Sequence, residues 1–337
     1  MSLLEIKDLT VTYRSSDSDG DIPAVRGIDL RIDPGQTLGV AGESGCGKST
    51  IVAAVLRLLP KTAAVTGQIL LDGENVLEMG WGRLRAARWA EASIIFQGAM
   101  HSLNPVQRVG KQIAEPILVH EQMSEADAYA RVGELLEQVG LPASRAYNYP
   151  HQFSGGQKQR LMIAMALACR PKVILADEPT TALDVMVQAQ VLGLMSELVR
   201  ELGVGLILIS HDLSVLSRTC QRVAVMYAGK FVEQGPSDLV FGSASHPYTE
   251  ALSAAFPTIG DRAFRYAPRG LGGDPPHPQE LPSGCPFHPR CPVVQPECPT
   301  ASLELWPSGP GQSAACVLVR DRDRDRDRDR DRYRVSR

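Results

Sequence analysis

Residues Gly42-Glu43-Ser44-Gly45-Cys46-Gly47-Lys48-Ser49-Thr50 match the pattern G-x-x-x-x-G-K-S/T, and no other stretch of the chain constrains the fold so tightly. The pattern works only where a buried strand runs into a glycine loop and out into a helix. Both flanks comply: Thr37 to Ala41 reads as a short buried strand, and Ile51 to Leu59 as an apolar helix. In that setting the glycines let successive backbone N–H groups curl around a phosphate chain at a helix N-terminus. Lys48 would then neutralise β/γ-phosphate charge, with the Ser49 hydroxyl on Mg²⁺.

Other strand ends carry residues suited to the same chemistry. Val173 to Ala176 delivers Asp177 and Glu178 at its carboxyl end, where open parallel sheets place ligands. Two adjacent carboxylates there can divide the labour of phosphoryl chemistry, Asp177 holding Mg²⁺ through water and Glu178 polarising the attacking water. Leu206 to Ser210 ends at His211, placed for a γ-phosphate contact, and Ser93 to Phe96 ends at the amide of Gln97. Ser154-Gly155-Gly156-Gln157 opens a helix from Lys158 to Cys169, which makes a second anion site. A chain with one phosphate loop can use that site only on a nucleotide held by a second chain. Tyr13 can stack on adenine or serve as a core aromatic.

Composition fits a soluble α/β protein: 44% hydrophobic, 22% charged and a net charge of −3, with no pull toward nucleic acid. Early charges at Glu5, Lys7 and Asp8 argue against a signal peptide, and no run of 18 uncharged apolar residues occurs. These features predict a cytoplasmic chain, or one bound to a membrane only through partners. Residues 3–13 alternate as a sheet-edge strand would, Val25 to Ile32 forms a second strand, and residues 222–234 form a hairpin. Between residues 105 and 153 the periodicity is helical, with Ser124 as a helix cap and Val132, Leu135, Leu136 and Val139 on one face, which predicts a helical insertion over about residues 98–160.

Beyond Phe256 the character changes, since 13 of the 24 prolines lie between Pro257 and Pro310. Such a segment needs a staple. Cys285, Cys291, Cys298 and Cys316 are spaced C-x₅-C-x₆-C-x₁₇-C, without the close pairs of zinc fingers. Four thiolates can hold a 4Fe–4S cluster, zinc with His288 as a substitute ligand is the alternative, and a metal-free segment is the third possibility. Arg320 to Arg332 alternates seven Arg with six Asp and reads as a disordered tail spanning 320–337.

The order of Tyr13, residues 42–50, Gln97, Ser154-Gly155-Gly156-Gln157, Asp177-Glu178, Ala182-Leu183-Asp184 and His211 resembles the A-loop, Walker A, Q-loop, signature, Walker B, D-loop and H-loop of an ATP-binding cassette. Ser102-Leu103-Asn104-Pro105, Ala176 to Val185, His246-Pro247-Tyr248-Thr249 and the cysteine-bearing tail are similar to the ATPase subunits of oligopeptide, dipeptide and nickel importers. The resemblance implies an α/β fold: a P-loop NTPase core over residues 1–256 with an antiparallel β subdomain and a helical insertion, then a Pro/Cys-rich extension over 257–319. It also implies ATP and Mg²⁺ as cofactors, Gln97 with Ser49 and Asp177 serving Mg²⁺, Glu178 as general base, and Lys48 and His211 on the phosphates. Ser154 to Gln157 and Asp184 would act on a nucleotide held by an opposing cassette, identical or paralogous. Further implied partners are two membrane permease subunits and, indirectly, an extracytoplasmic substrate-binding protein. The chain would sit on the cytoplasmic face of the membrane and energise import of small peptides. Nickel or another small solute is the alternative cargo, and a non-transport cassette acting on DNA or ribosomes the rival class. Phe153 stands where Leu is usual, and Gly98-Ala99 where Asp-Pro is common. Cys46, lying among the phosphate-binding amides, is expected to be a site of inhibitory alkylation.

Overall fold

The computed structural model describes residues 2–14, 20–98, 102–181, 183–255 and 271–323. β1 (Leu4–Tyr13) and β2 (Ile22–Ile32) pair antiparallel, and β3 (Thr37–Ala41) follows with every residue buried, as a parallel strand covered on both faces requires. The glycine loop leads into α1 (Lys48–Val55). β4 (Ala63–Leu71) then returns to pair with β1, and β5 (Glu74–Asn75) completes a four-stranded antiparallel sheet in the order β2-β1-β4-β5. β1 is therefore central and not the edge strand expected of it. Leu4, Ile6, Leu9 and Val11, each at most 1% exposed, share a core with Val40, Val52 and Ile207, so the buried face of this strand turns toward α1 and the larger sheet. The apolar run after the loop extends to Leu59, yet α1 stops at Val55. There the Arg88 guanidinium donates to the Leu56 carbonyl at 3.0 and 2.7 Å, and Pro60 follows.

α2 (Trp81–Ala90), broken at Arg88 and Trp89, leads to β6 (Ala92–Ile95). The helical insertion comprises α3 (Val109–His120), α4 (Glu125–Gln138) and α5 (Gly155–Ala166), with Ser124 capping α4 through the Asp127 N–H. The chain re-enters the core through β7 (Val173–Asp177), α6 (Val185–Leu202), β8 (Gly205–Ile209), α7 (Leu213–Thr219), β9 (Arg222–Tyr227) and β10 (Lys230–Pro236). Two short helices, α8 (Ser237–Gly242) and α9 (Pro247–Ala255), close this part. β11 (Trp306–Gly309) and β12 (Gln312–Ala314) come from the extension.

The eight-stranded sheet runs β11-β12-β10-β9-β3-β8-β7-β6, parallel from β9 to β6 and antiparallel at the other end. The carboxyl ends of β3, β7 and β8 thus open on one edge, which is where a parallel sheet collects its ligand-handling residues. One face carries the antiparallel sheet with α1 and α2, and the other carries the insertion helices with α6 and α7.

The extension forms two strands although its proline-rich sequence carries little helical or strand periodicity. β12 pairs with β10, placing Ala314 opposite Glu233 and Ser313 opposite Gln234. Phe287, 1% exposed, packs against the Tyr227–Tyr248 pair with ring centroids 5.4 Å from each. The expected disordered tail falls mostly on residues 324–337, outside the described residues, while residues 320–323 continue a helical turn.

Candidate active site

Gly42 and Gly47 explain why the loop needs glycine. Each has a positive φ, 149° and 108°, and a Cβ on either would lie 2.3 Å from the Met226 carbonyl or 2.2 Å from that of Ala24. Within the loop, the buried Lys48 ammonium donates to the carbonyls of Gly42 and Glu43, both at 2.8 Å. Tyr13 stands beside the loop, its hydroxyl 3.2 Å from Thr50 Oγ1. A Cβ added to Gly45 would meet nothing within 4 Å, so the loop faces open space there. The Cys46 thiol does not face that space. It is 6% exposed within the core, 3.6 Å from Lys48 Nζ, and burial pushes its pKa up. A buried thiol with little thiolate is a poor target, which runs against the expected alkylation.

β7 presents Asp177 at its last position, hydrogen-bonded to Ser49 at the first turn of α1. Burial pushes the Asp177 carboxyl up, with the Ser49 hydroxyl pulling the other way. Its Oδ1 is buried without a hydrogen-bond partner. A buried acceptor beside a hydroxyl is a fitting donor set for a hard cation such as Mg²⁺.

Glu178 is the point of convergence. Its carboxylate accepts from Gln97 Nε2 at 3.0 Å and Thr181 Oγ1 at 3.2 Å, and lies 3.1 Å from His211 Nδ1. Gln97, His211 and Glu178, predicted from three separate strand ends, are thus joined in one network. Gln97 meets it through its amide nitrogen. Glu178 itself holds a positive φ of 43°, uncommon for a residue with a side chain, while its N–H donates to the Ile209 carbonyl. Thr181 was not singled out from sequence. Its hydroxyl becomes relevant only because the turn after Glu178 folds it back.

The second anion site is built but stands apart. Ser154 caps α5 in a box with Gln157, Gly155 begins the helix, and a Cβ on Gly156 would sit 2.4 Å from Val187. Asp184 caps α6 through the Val187 N–H at 3.0 Å. Ser154 and Asp184 are both exposed, with Val185 and Met186 beside Asp184 exposed by 71% and 72%. Among the described residues, no hydrogen bond joins either residue to the phosphate loop.

Braces on the loop come from outside it. The Glu43 N–H donates to Tyr248 Oη at 3.0 Å, and the Glu43 carboxylate receives a forked pair of bonds from Arg290 at 2.8 and 3.1 Å. Neither residue was identified as a site residue from sequence, since the pairing spans |i−j| of 205 and 247. Next to Arg290, the four cysteines Cys285, Cys291, Cys298 and Cys316 line a single cavity with Phe287 and His288. Burial pushes the Cys285 thiol up to about 11 and raises Cys291 and Cys316 as well. Among the described residues, no three His, Cys, Asp or Glu side chains meet as they would around one metal ion. No described helix is long and apolar enough to cross a membrane.

Comparison with known proteins agrees with this architecture. Residues 25–181 match the family model described as ABC transporter, and residues 232–298 match that described as oligopeptide/dipeptide transporter, C-terminal region. The second match begins inside β10. The chain is 43% identical over 317 residues to the oligopeptide transport ATP-binding protein OppD of Salmonella typhimurium, covering 93% of each chain. It is also 43% identical to OppD of Bacillus subtilis over 289 residues, 85% of this chain and 80% of the other. Among solved structures it resembles the dimeric bacterial ABC transporter cassette MJ0796, at 28% identity and a TM-score of 0.62, over 69% of this chain and 98% of that one. CbiO1 of Clostridium perfringens aligns at 29% identity and a TM-score of 0.61, over 72% and 91%.

Proposed function

Because the chain belongs to the ABC transporter family, among its oligopeptide transport ATP-binding proteins, we propose that it binds and hydrolyses ATP to drive import of small peptides through a membrane permease. The observation that carries the mechanism is the convergence of Gln97, Thr181 and His211 on the Glu178 carboxylate, at the edge that also holds Lys48, Ser49 and Asp177. In this reading Glu178 is the general base for the attacking water. Gln97 and His211 orient it and report the γ-phosphate, Lys48 neutralises phosphate charge, and Tyr13 stacks on adenine. Gly42, Ser44, Gly45, Cys46, Gly47 and Thr50 contribute loop backbone to the phosphates. Ser49, Asp177 and Gln97 would hold Mg²⁺, which when bound supplies charge neutralisation at the β/γ oxygens.

Ser154 and Asp184 stand exposed with their caps formed, and Gly155, Gly156 and Gln157 beside them are half-buried, which supports use of this group on a nucleotide held by a second cassette, identical or paralogous. Two permease subunits and an extracytoplasmic substrate-binding protein complete the proposed assembly, with this chain on the cytoplasmic face of the membrane. For the extension we adopt a 4Fe–4S cluster held by Cys285, Cys291, Cys298 and Cys316. Zinc would draw its ligands to about 2.3 Å from one point, whereas a cluster takes each thiolate on a separate iron. That all four thiols line one cavity supports a group shared between them. A bound cluster supplies covalent cross-links across a proline-rich segment. Iron and acid-labile sulfide in anaerobically purified protein test it, and colourless, metal-free protein refutes both metals.

The transport reading is tested in vesicles carrying this chain with its permease subunits and binding protein. Uptake of a labelled oligopeptide should require ATP inside the vesicle. Uptake of nickel ions and not peptide would replace the cargo, and no ATP-dependent uptake of either would refute the reading.

A further inference from the structure

We infer that Arg290, carried on the cysteine-bearing extension, is a positioning residue for ATP binding: it neutralises Glu43, the one carboxylate in the phosphate-binding loop, and fixes the loop's mouth. The inference rests on this loop holding ATP. Among residues 42–50 Glu43 alone is acidic, and it lies where backbone amides should greet a triphosphate. A free carboxylate at that point repels the ligand.

Arg290 removes the problem with all parts of its head group. Nη1 and Nη2 donate to Glu43 Oε2 and Oε1 at 2.8 and 3.1 Å, a fork that matches the carboxylate. Nη1 also donates to Tyr227 Oη at 3.2 Å, and Nε to the Gly272 carbonyl at 2.9 Å. The guanidinium lies over Tyr227 and Phe287, 5.9 Å from each ring centroid. With its side chain 8% exposed and that of Glu43 23%, this pair is shielded as surface ion pairs are not. Every polar group of Glu43 is engaged: carboxylate by Arg290, N–H by Tyr248, and carbonyl by the Lys48 ammonium. Arg290 is adjacent in sequence to Cys291, which lines the thiol cavity.

A bland role is that Arg290 only pins the extension. The two differ in what Glu43→Gln does to the defect. In the assembled transporter, Arg290→Ala should raise the ATP KM about tenfold with kcat within about twofold, an effect that shrinks as salt is raised. Glu43→Gln alone should lower KM, and the double variant should recover most of the loss. Arg290→Lys keeps the charge, should stay within about threefold of wild type, and serves should Arg290→Ala fail to fold. An unchanged KM in Arg290→Ala, a double variant as impaired as the single one, or Arg290→Lys as impaired as a charge loss would each overturn the inference. Direct binding of a fluorescent ATP analogue to the wild type is the control arm: its failure would count against the nucleotide site itself and not against Arg290.

Discussion

Glu178 is held at a left-handed φ of 43° by its N–H bond to the Ile209 carbonyl, while three neighbours fasten its carboxylate. Such a conformation costs on the order of 1 kcal/mol or more and persists only where the surroundings over-determine it. The strain sets the carboxylate between Gln97, Thr181 and His211, where a water aligned for attack would lose its proton. Glu178→Gln keeps the shape and the hydrogen-bonding capacity but cannot take that proton. Steady-state turnover should fall by about 10²-fold or more with ATP affinity preserved, and wild-type turnover would refute the base assignment. Cys46 teaches the opposite lesson at the same scale. Its place in the motif is legible, but the burial of its thiol in the core is set by packing, which no local spacing reveals.

At the scale of elements, strand ends and helix caps were readable because each is a short-range signal. β7 and β8 came from apolar runs bounded by polar ends, and the helix starts at Ser124 and Ser154 from one hydroxyl before a periodic run, whereas the cap at Asp184 emerged only in the structure. The β11–β12 hairpin was not readable: Pro307 and Gly309 interrupt its four-residue first strand, and its pairing to β10 is long-range. Its attachment rests on buried polar groups. Glu233, fully buried, accepts from the N–H groups of Ser245 and His246 and from Gln312 Nε2. His246, also buried, accepts the Tyr248 N–H at 3.0 Å and hydrogen-bonds the backbone of Ala315. Burial depresses the His246 imidazole from 6.5 to about 4. The unfolded chain therefore binds a proton in this window that the folded one refuses, so stability is lost as pH falls from about 6.5 to about 4, by up to about 3 kcal/mol. Burial raises the Glu233 carboxyl, which acts with the opposite sign, so the difference between proteins is the informative quantity. Thermal melts should show His246→Asn less acid-sensitive across that window than wild type, and parallel curves would refute the assignment.

For the whole molecule, the helical insertion was legible from periodicity, whereas a nucleotide core with an antiparallel sheet was expected only from the family resemblance. What stayed hidden was the way the extension folds back to touch the first residues of the phosphate loop, since contacts across |i−j| of 247 leave no periodic trace. Exposed Ser154 and Asp184, with Val185 and Met186 next to Asp184, leave a face that a second cassette would cover. Slowed hydrolysis should lengthen that pairing, so the Glu178→Gln variant with ATP should scatter light as a dimer and without ATP as a monomer. A monomer in both states would refute the two-cassette arrangement.

β12 lies along the outer margin of β10, where the Ala315 N–H also reaches the Val232 carbonyl. A chain ended after α9 would bare that margin: a row of amides and carbonyls with no mates, and a desolvated acid stripped of its glutamine. Such an edge recruits any strand that passes, including those of its own kind. In this chain the extension, by pairing β12 to β10, keeps that edge from any other strand.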